Sequence, residues 1–322
     1  MSTRLDRINL SPALSPKRLS SPKGYRPVST CVDINGNAIR LLVTETTSIA
    51  LMARFVQAGW ASFPETQTTG EYSSILSISG NSGSSELSLT GMTATFPKIE
   101  LLSENEVLVV APRCQRFSGG KYEMNAVVYN RTGKAVRDFL LGDGIEHIQV
   151  DEKAQIWVGY SDEGVFGNYG WNSPVGAAGL CCFSSSGEKI WDYAPPVGFD
   201  PICDCYALNV ARNSVWSYYY TDFPIAQIDA ELRVRCWSTK VPGARALAAG
   251  QDKILLFGGY EDQRSVCTLL HLDDGVAESV AEIKLILPRS IDIRIDKVIG
   301  RDKQLHVFMD ENWYVFSIDG VS

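Results

Sequence analysis

IQVDEKAQIWVGY, Ile148–Tyr160, is an apolar segment, a short acidic turn and a second apolar segment. Its second half has counterparts along the chain: EVLVV at Glu106–Val110, SVWSY at Ser214–Tyr218, KILLF at Lys253–Phe257 and QLHVF at Gln304–Phe308. Their central residues, Leu108, Trp157, Trp216, Leu255 and His306, recur at intervals of roughly 40 to 60 residues, the spacing of a repeat architecture with insertions. A shorter apolar segment precedes each: IELL from Ile99, IQV from Ile148, LNV from Leu208, ALAA from Ala246 and KVIG from Lys297. Turns of a few polar residues (SEN, DEK, ARN, GQD, RDK) join the pairs, so each pair predicts an antiparallel hairpin.

Third and fourth strands follow in several units, as in EMNAVVYN from Glu123 with KAVRDFL from Lys134, and GLCCFSSSG from Gly179 with EKIWDY from Glu188. A lone four-stranded sheet would leave its apolar faces in water, and stacking blades supplies the missing partners. The pattern therefore predicts an all-β chain: a six-bladed β-propeller over residues 28–322, after a flexible N-terminal tail over residues 1–27 that is rich in Ser, Pro and basic residues. CVDINGNAIRLLVTE, Cys31–Glu45, reads as the third and fourth strands of a unit. The last unit runs out before an outer strand, so an N-terminal strand is expected to complete it and close the last blade. IEHIQVDEKAQIWVGYSDEGVFG, Ile145–Gly167, resembles one repeat of the bacterial regulator-type and NHL-like propellers, and GLCCFSSSGEKIWDY resembles the outer half of the same blade. The resemblance implies the fold and carries no catalytic residue set.

Composition narrows the function. Thirty basic against 37 acidic residues give a net charge of −7, which disfavours a nucleic-acid sheath. No apolar run approaches the roughly 18 residues of a membrane span, and no secretory h-region opens the chain. The eight cysteines are scattered rather than dense, as in a reducing cytoplasm, and are read as structural thiols. Cys203 and Cys205 in CDC lack two further zinc ligands, and Cys181 and Cys182 point to opposite faces of a strand. Asp33, Asn35 and Asn37 in DINGN are too few for a calcium loop and fit a hairpin turn. With only His147, His271 and His306 available, a histidine-based catalytic set is sparsely supplied. His306 reads as a packed strand histidine, and His147 is the best general-base candidate.

Strand alternation gathers the long loops between second and third strands, together with the blade crossings, on one face. The loop APRCQRFSGGKYE at Ala111–Glu123, the run Tyr160, Asp162, Glu163, Phe166, Tyr169 and Trp171, YYYTDFP at Tyr218–Pro224 and GGYEDQR at Gly258–Arg264 all fall there. Aromatic rings offer broad contact area at low ordering cost, and charged groups add direction. The expected binding residues are Tyr160, Asp162, Glu163, Trp171, Tyr219, Asp222, Tyr260 and Arg264. Trp171 has a second reading, as packing that holds its insertion in place. The expected function is a non-catalytic binding or protein-interaction scaffold with a protein partner, no cofactor and no resident metal. The alternatives are a metal-assisted lactonase or hydrolase, built on Asp143, Glu146, His147, Asp200 and Asp204, and a carbohydrate-binding propeller.

Overall fold

The computed structural model describes residues 16–52, 54–55, 63–81, 83–168, 170–284 and 295–320; Tyr169 lies outside them. The fold is a six-bladed β-propeller with four-stranded antiparallel blades. Two compact units divide the chain, Ser20–Tyr193 and Met1–Leu19 with Ala194–Ser322, and each holds three blades.

In the first unit, blade 1 comprises Tyr25–Val32, Ala38–Thr44, Gln67–Gly80 and Gly83–Ala94. Blade 2 comprises Lys98–Ser103, Glu106–Val110, Ala126–Asn130 and Ala135–Phe139. Blade 3 comprises Ile145–Val150, Ile156–Tyr160, Leu180–Phe183 and Lys189–Asp192. One expectation is corrected in blade 1, where CVDINGNAIRLLVTE supplies the first and second strands rather than the third and fourth. The true third and fourth strands are rich in Ser, Thr and Gly and bury few apolar side chains, Leu76, Leu89 and Met92 among them, so their apolar signature is weak.

In the second unit, blade 4 comprises Asp204–Val210, Ser214–Tyr220, Ile225–Asp229 and Val234–Trp237. Blade 5 comprises Ala246–Ala249, Lys253–Phe257, Val266–Asp273 and Val276–Lys284. Blade 6 has three strands of its own, Lys297–Arg301, Gln304–Met309 and Asn312–Ser317. Its fourth is Lys17–Arg18, antiparallel to the last of these, with Lys17 opposite Trp313 and Arg18 opposite Asn312. The Leu19 N–H donates to the Glu311 carbonyl at 2.7 Å, and the Arg18 guanidinium meets the Glu311 carboxylate at 3.1 Å. The expected N-terminal closing strand is thus present, and it falls inside the segment read as tail, as do Tyr25–Pro27 at the start of blade 1.

Second strands are buried on both faces, which is why they read as continuous apolar strings. Leu108, Leu255 and Trp157 are each at most 3% exposed. First strands of neighbouring blades approach so closely that a Cβ on Gly300 of blade 6 would lie 1.8 Å from the Leu247 carbonyl oxygen of blade 5. Short turns are built by one recurring device. Asp33 Oδ1 accepts from the N–H groups of Asn35 (2.9 Å) and Asn37 (2.8 Å), and Asp151 Oδ1 accepts likewise from Lys153 and Gln155 (2.9 Å each). Asp229 and Asn130 repeat the pattern, each side chain substituting for a backbone turn. DINGN is such a turn.

Candidate functional site

In the first unit, the long loops of blades 2 and 3 are locked together by a buried arginine. Arg113 forms a two-pronged pair with Asp143, Nε to Oδ1 at 2.8 Å and Nη2 to Oδ2 at 2.9 Å, and also pairs with Glu163. The Cys114 N–H donates to the same Asp143 oxygen at 2.8 Å. Such a bidentate, hydrogen-bonded pair satisfies the charge that burial would otherwise penalise. Burial pushes the Glu163 carboxyl above its ordinary range, against the pull of Arg113. Glu163 belongs to a short helix, Asp162–Phe166, that the sequence pattern did not reveal. It packs on the crossing at Gly144, where φ is +66° and a Cβ would lie 2.2 Å from the Gly164 nitrogen.

Several expected contact residues serve this lock. Tyr160 is fully buried and donates its hydroxyl to the Leu141 carbonyl at 2.6 Å, so its ring is unavailable to a partner. Trp171 is 6% exposed, donates Nε1–H to the Cys114 carbonyl at 2.8 Å and stacks on Tyr122 with centroids 5.2 Å apart. Its packing role is therefore the one seen. Asp162 is exposed and caps the Glu163 N–H. On the long loops of blades 2 and 3, Phe117, Tyr122, Met124 and Phe166 face outward, and Ile49, Met52, Val136 and Ile190 are exposed elsewhere among the described residues of this unit.

In the second unit, the long loops of blades 4 and 5 carry a cluster of aromatic rings. Phe223 is its hub, with centroids 5.3 Å from Tyr206, 5.6 Å from Tyr218, 5.5 Å from Tyr220 and 6.1 Å from Tyr260. Tyr206 and Tyr260 join hydroxyl to hydroxyl at 2.9 Å, and that bond, with some burial, pushes the Tyr206 hydroxyl above its ordinary value. Beneath them Tyr218 is fully buried, bonded to the Val241 carbonyl and accepting from the Ala244 N–H at 3.3 Å.

Of the expected residues here, Tyr260 is 49% exposed and sits within the cluster. Asp222 and Arg264 are exposed on the flanking loops. Tyr219 is fully buried, with its hydroxyl bonded to the Asp200 carbonyl at 3.2 Å. Tyr220, at 44% exposure, takes the outward place instead. Sequence reading missed Tyr206, Tyr220 and Phe223. Parity offered a signal for one of them: Trp216, Tyr218 and Tyr220 share one face of an extended strand, and only the strand's end escapes cover.

Other expected groups do not converge. Asp143 is committed to Arg113, and among the described residues no three His, Cys, Asp or Glu side chains form a metal-holding group. None of the eight cysteines is disulfide-bonded; Cys203 is partly exposed and the others are buried. Burial pushes the Cys182 and Cys267 thiols up to about 12. No helix among the described residues is long and apolar enough to cross a membrane.

Comparison with known proteins bears on the second unit. Residues 175–316 match the YxzG family. The match begins late in blade 3 and runs through blades 4 to 6, so the tyrosine cluster lies within it and the Arg113 lock outside it. No curated protein matches the chain. Among solved structures, Kluyvelomyces marxianus Hsv2 is similar at 11% identity and a TM-score of 0.50, over 91% of this chain and 76% of that one. Staphylococcus aureus virginiamycin B lyase gives 12% identity and a TM-score of 0.44, over 95% and 99%. The β-propeller domain of the Pyrococcus furiosus Trilobed protease gives 13% and 0.45, over 92% and 84%. At such identities only the fold is informed.

Proposed function

We propose that this chain is a non-catalytic binding scaffold that holds a protein partner through its long loops, with the tyrosine cluster of blades 4 and 5 as principal contact. The observation that carries the reading is the pairing of exposure with rigidity. Tyr220 and Tyr260 are each close to half exposed, yet both rest on Phe223, and Tyr260 is tied to Tyr206. Tyrosines fixed in this way present amphipathic area with little entropy left to lose, the property of binding hot spots. Asp222 and Arg264 supply charged groups of both signs on the flanking loops.

The test is capture from cell extract with the full chain and with a Tyr220→Ser/Tyr260→Ser double variant, read by quantitative mass spectrometry. A specific partner should be retained by the parent chain and depleted about tenfold or more on the variant, given what truncating a buried tyrosine anchor costs. An unchanged set of captured proteins, with unchanged circular dichroism and melting temperature, would overturn the proposal.

A further inference from the structure

A hollow of about 1130 Å³ opens among the short turns of blades 4, 5 and 6. Its floor follows from strand register. Across blade 4, Trp216 lies opposite Gln227, and Gln227 opposite Arg235. Directly opposed residues project from the same face of a sheet, and so do residues two apart in one strand. Trp216, Gln227, Arg235 and Trp237 therefore share one face of blade 4, and all four line the hollow.

The floor is held rigid. Trp216 is 2% exposed, with Nε1–H donating to Ser214 Oγ at 2.9 Å. Trp237 is partly exposed and stacks on it, with centroids 5.9 Å apart and planes inclined by 27°. At the outer rim, blade 4 is pinned to blade 5 by backbone bonds, Ser238 N–H to the Gly275 carbonyl and Ala277 N–H to the Ser238 carbonyl, each at 2.9 Å. At the inner end, the buried Asn209 amide donates to the Leu247 carbonyl at 2.7 Å. A supported tryptophan platform between two pinned edges loses little freedom when something settles on it.

The rim defines the chemistry. Arg212, Arg235 and Lys303 offer donors, Asp252, Asp273, Asp274 and Asp302 offer acceptors, and Gln227 offers both, all around the hollow. Three cations interspersed with four carboxylates favour a ligand with many hydroxyls and no net charge, and they set repulsion beside attraction for a phosphate-bearing or strongly basic ligand. The tryptophan pair adds an apolar, polarisable plane. A sugar ring combines these properties, with C–H groups on one face and hydroxyls around its edge. We propose that this hollow is a binding site for a neutral oligosaccharide, stacked on Trp237 and hydrogen-bonded by Gln227, Arg235 and the rim aspartates.

The experiment uses the full chain on an array of neutral glycans, acidic glycans and unstructured peptides. Hits are followed by calorimetric titration of the parent chain and of Trp237→Ala, Arg235→Ala and Val136→Ser variants. One or more neutral glycans should bind, Trp237→Ala should weaken that binding tenfold or more, and Val136→Ser, on an exposed outer strand of blade 2, should leave it unchanged. Arg235 is exposed on a strand edge, so Arg235→Ala keeps the test open if Trp237→Ala does not fold, and it should weaken binding severalfold. The proposal is overturned if no neutral glycan binds at millimolar concentration. It is equally overturned if acidic glycans or peptides bind in preference, or if folded rim variants bind as tightly as the parent.

Discussion

The side chain of Asn209 pairs with the backbone of Asp302 as a neighbouring strand would. Its Nδ2 donates to the Asp302 carbonyl and its Oδ1 accepts from the Asp302 N–H, both at 2.8 Å. The same Nδ2 also reaches the Leu247 carbonyl, so one amide in blade 4 satisfies backbone groups in blades 5 and 6. Asn209→Leu keeps the volume, removes the acceptor of the Asp302 N–H and leaves the Asp302 carbonyl with the Ala249 N–H alone. Stability should fall by about 2–4 kcal/mol, given the cost of stranding buried polar groups, as measured by urea denaturation. A loss under about 0.5 kcal/mol would show that the staple is dispensable.

Arg113 and Asp143 are almost wholly buried together, with side chains 6% and 2% exposed. Arg113→Met strands the carboxylate and should cost about 3–5 kcal/mol, whereas pairing it with Asp143→Leu should recover much of that loss. Thermal unfolding of the single and double variants reads the difference, and equal melting temperatures for the two would contradict it.

His306 is 1% exposed, and its Nδ1 accepts from the Trp313 indole N–H at 3.1 Å. Burial first, then the nearby positive charges of Arg301 and Lys17, hold its pKa down at about 3 from an ordinary 6.5. The unfolded chain therefore binds this proton more readily than the folded one between pH 6.5 and 3. The corresponding stability is complete above pH 6.5 and drains away as the pH falls toward 3. His306→Gln retains an acceptor for Trp313 and cannot take up the proton, so its unfolding free energy should be flatter across that window. Parallel slopes for the two proteins would exclude His306 as the source.

At Gly144 the left-handed φ and the contact with Gly164 act together. Gly144→Ala should cost about 1–3 kcal/mol and loosen the helix Asp162–Phe166 against its crossing. Hydrogen exchange at Gly164 and Val165, whose N–H groups bond the Ser161 carbonyl, should accelerate. Unaltered exchange would place the strain elsewhere.

How much of this was readable in the residues depended on how many faces of a strand are covered. Leu108, Trp157, Trp216, Leu255 and His306 lie in second strands sandwiched on both sides, so their apolar strings marked the blades directly. Outer strands have solvent on one side, and the Ser- and Thr-rich run from Gln67 to Ala94 gave no such mark. The loop aromatics were harder again. Tyr218, Tyr219 and Tyr220 have the same chemistry, and only the cover supplied by Phe223, Val241 and Asp200 decides which ring faces outward. The Asn209 staple was invisible for another reason, since its partner lies in another blade and leaves no local pattern.

Lys17–Arg18 gives blade 6 a borrowed border only two residues long. A border so short is a removable part. A chain trimmed through Leu19 would keep every residue of the tyrosine cluster and of the Trp237 hollow, yet would bare backbone groups along Glu311–Trp313 that the border now covers. Each trimmed copy would then be a vacancy that an extended segment of some other chain can fill, turning an intramolecular closing strand into a handle for exchange between molecules.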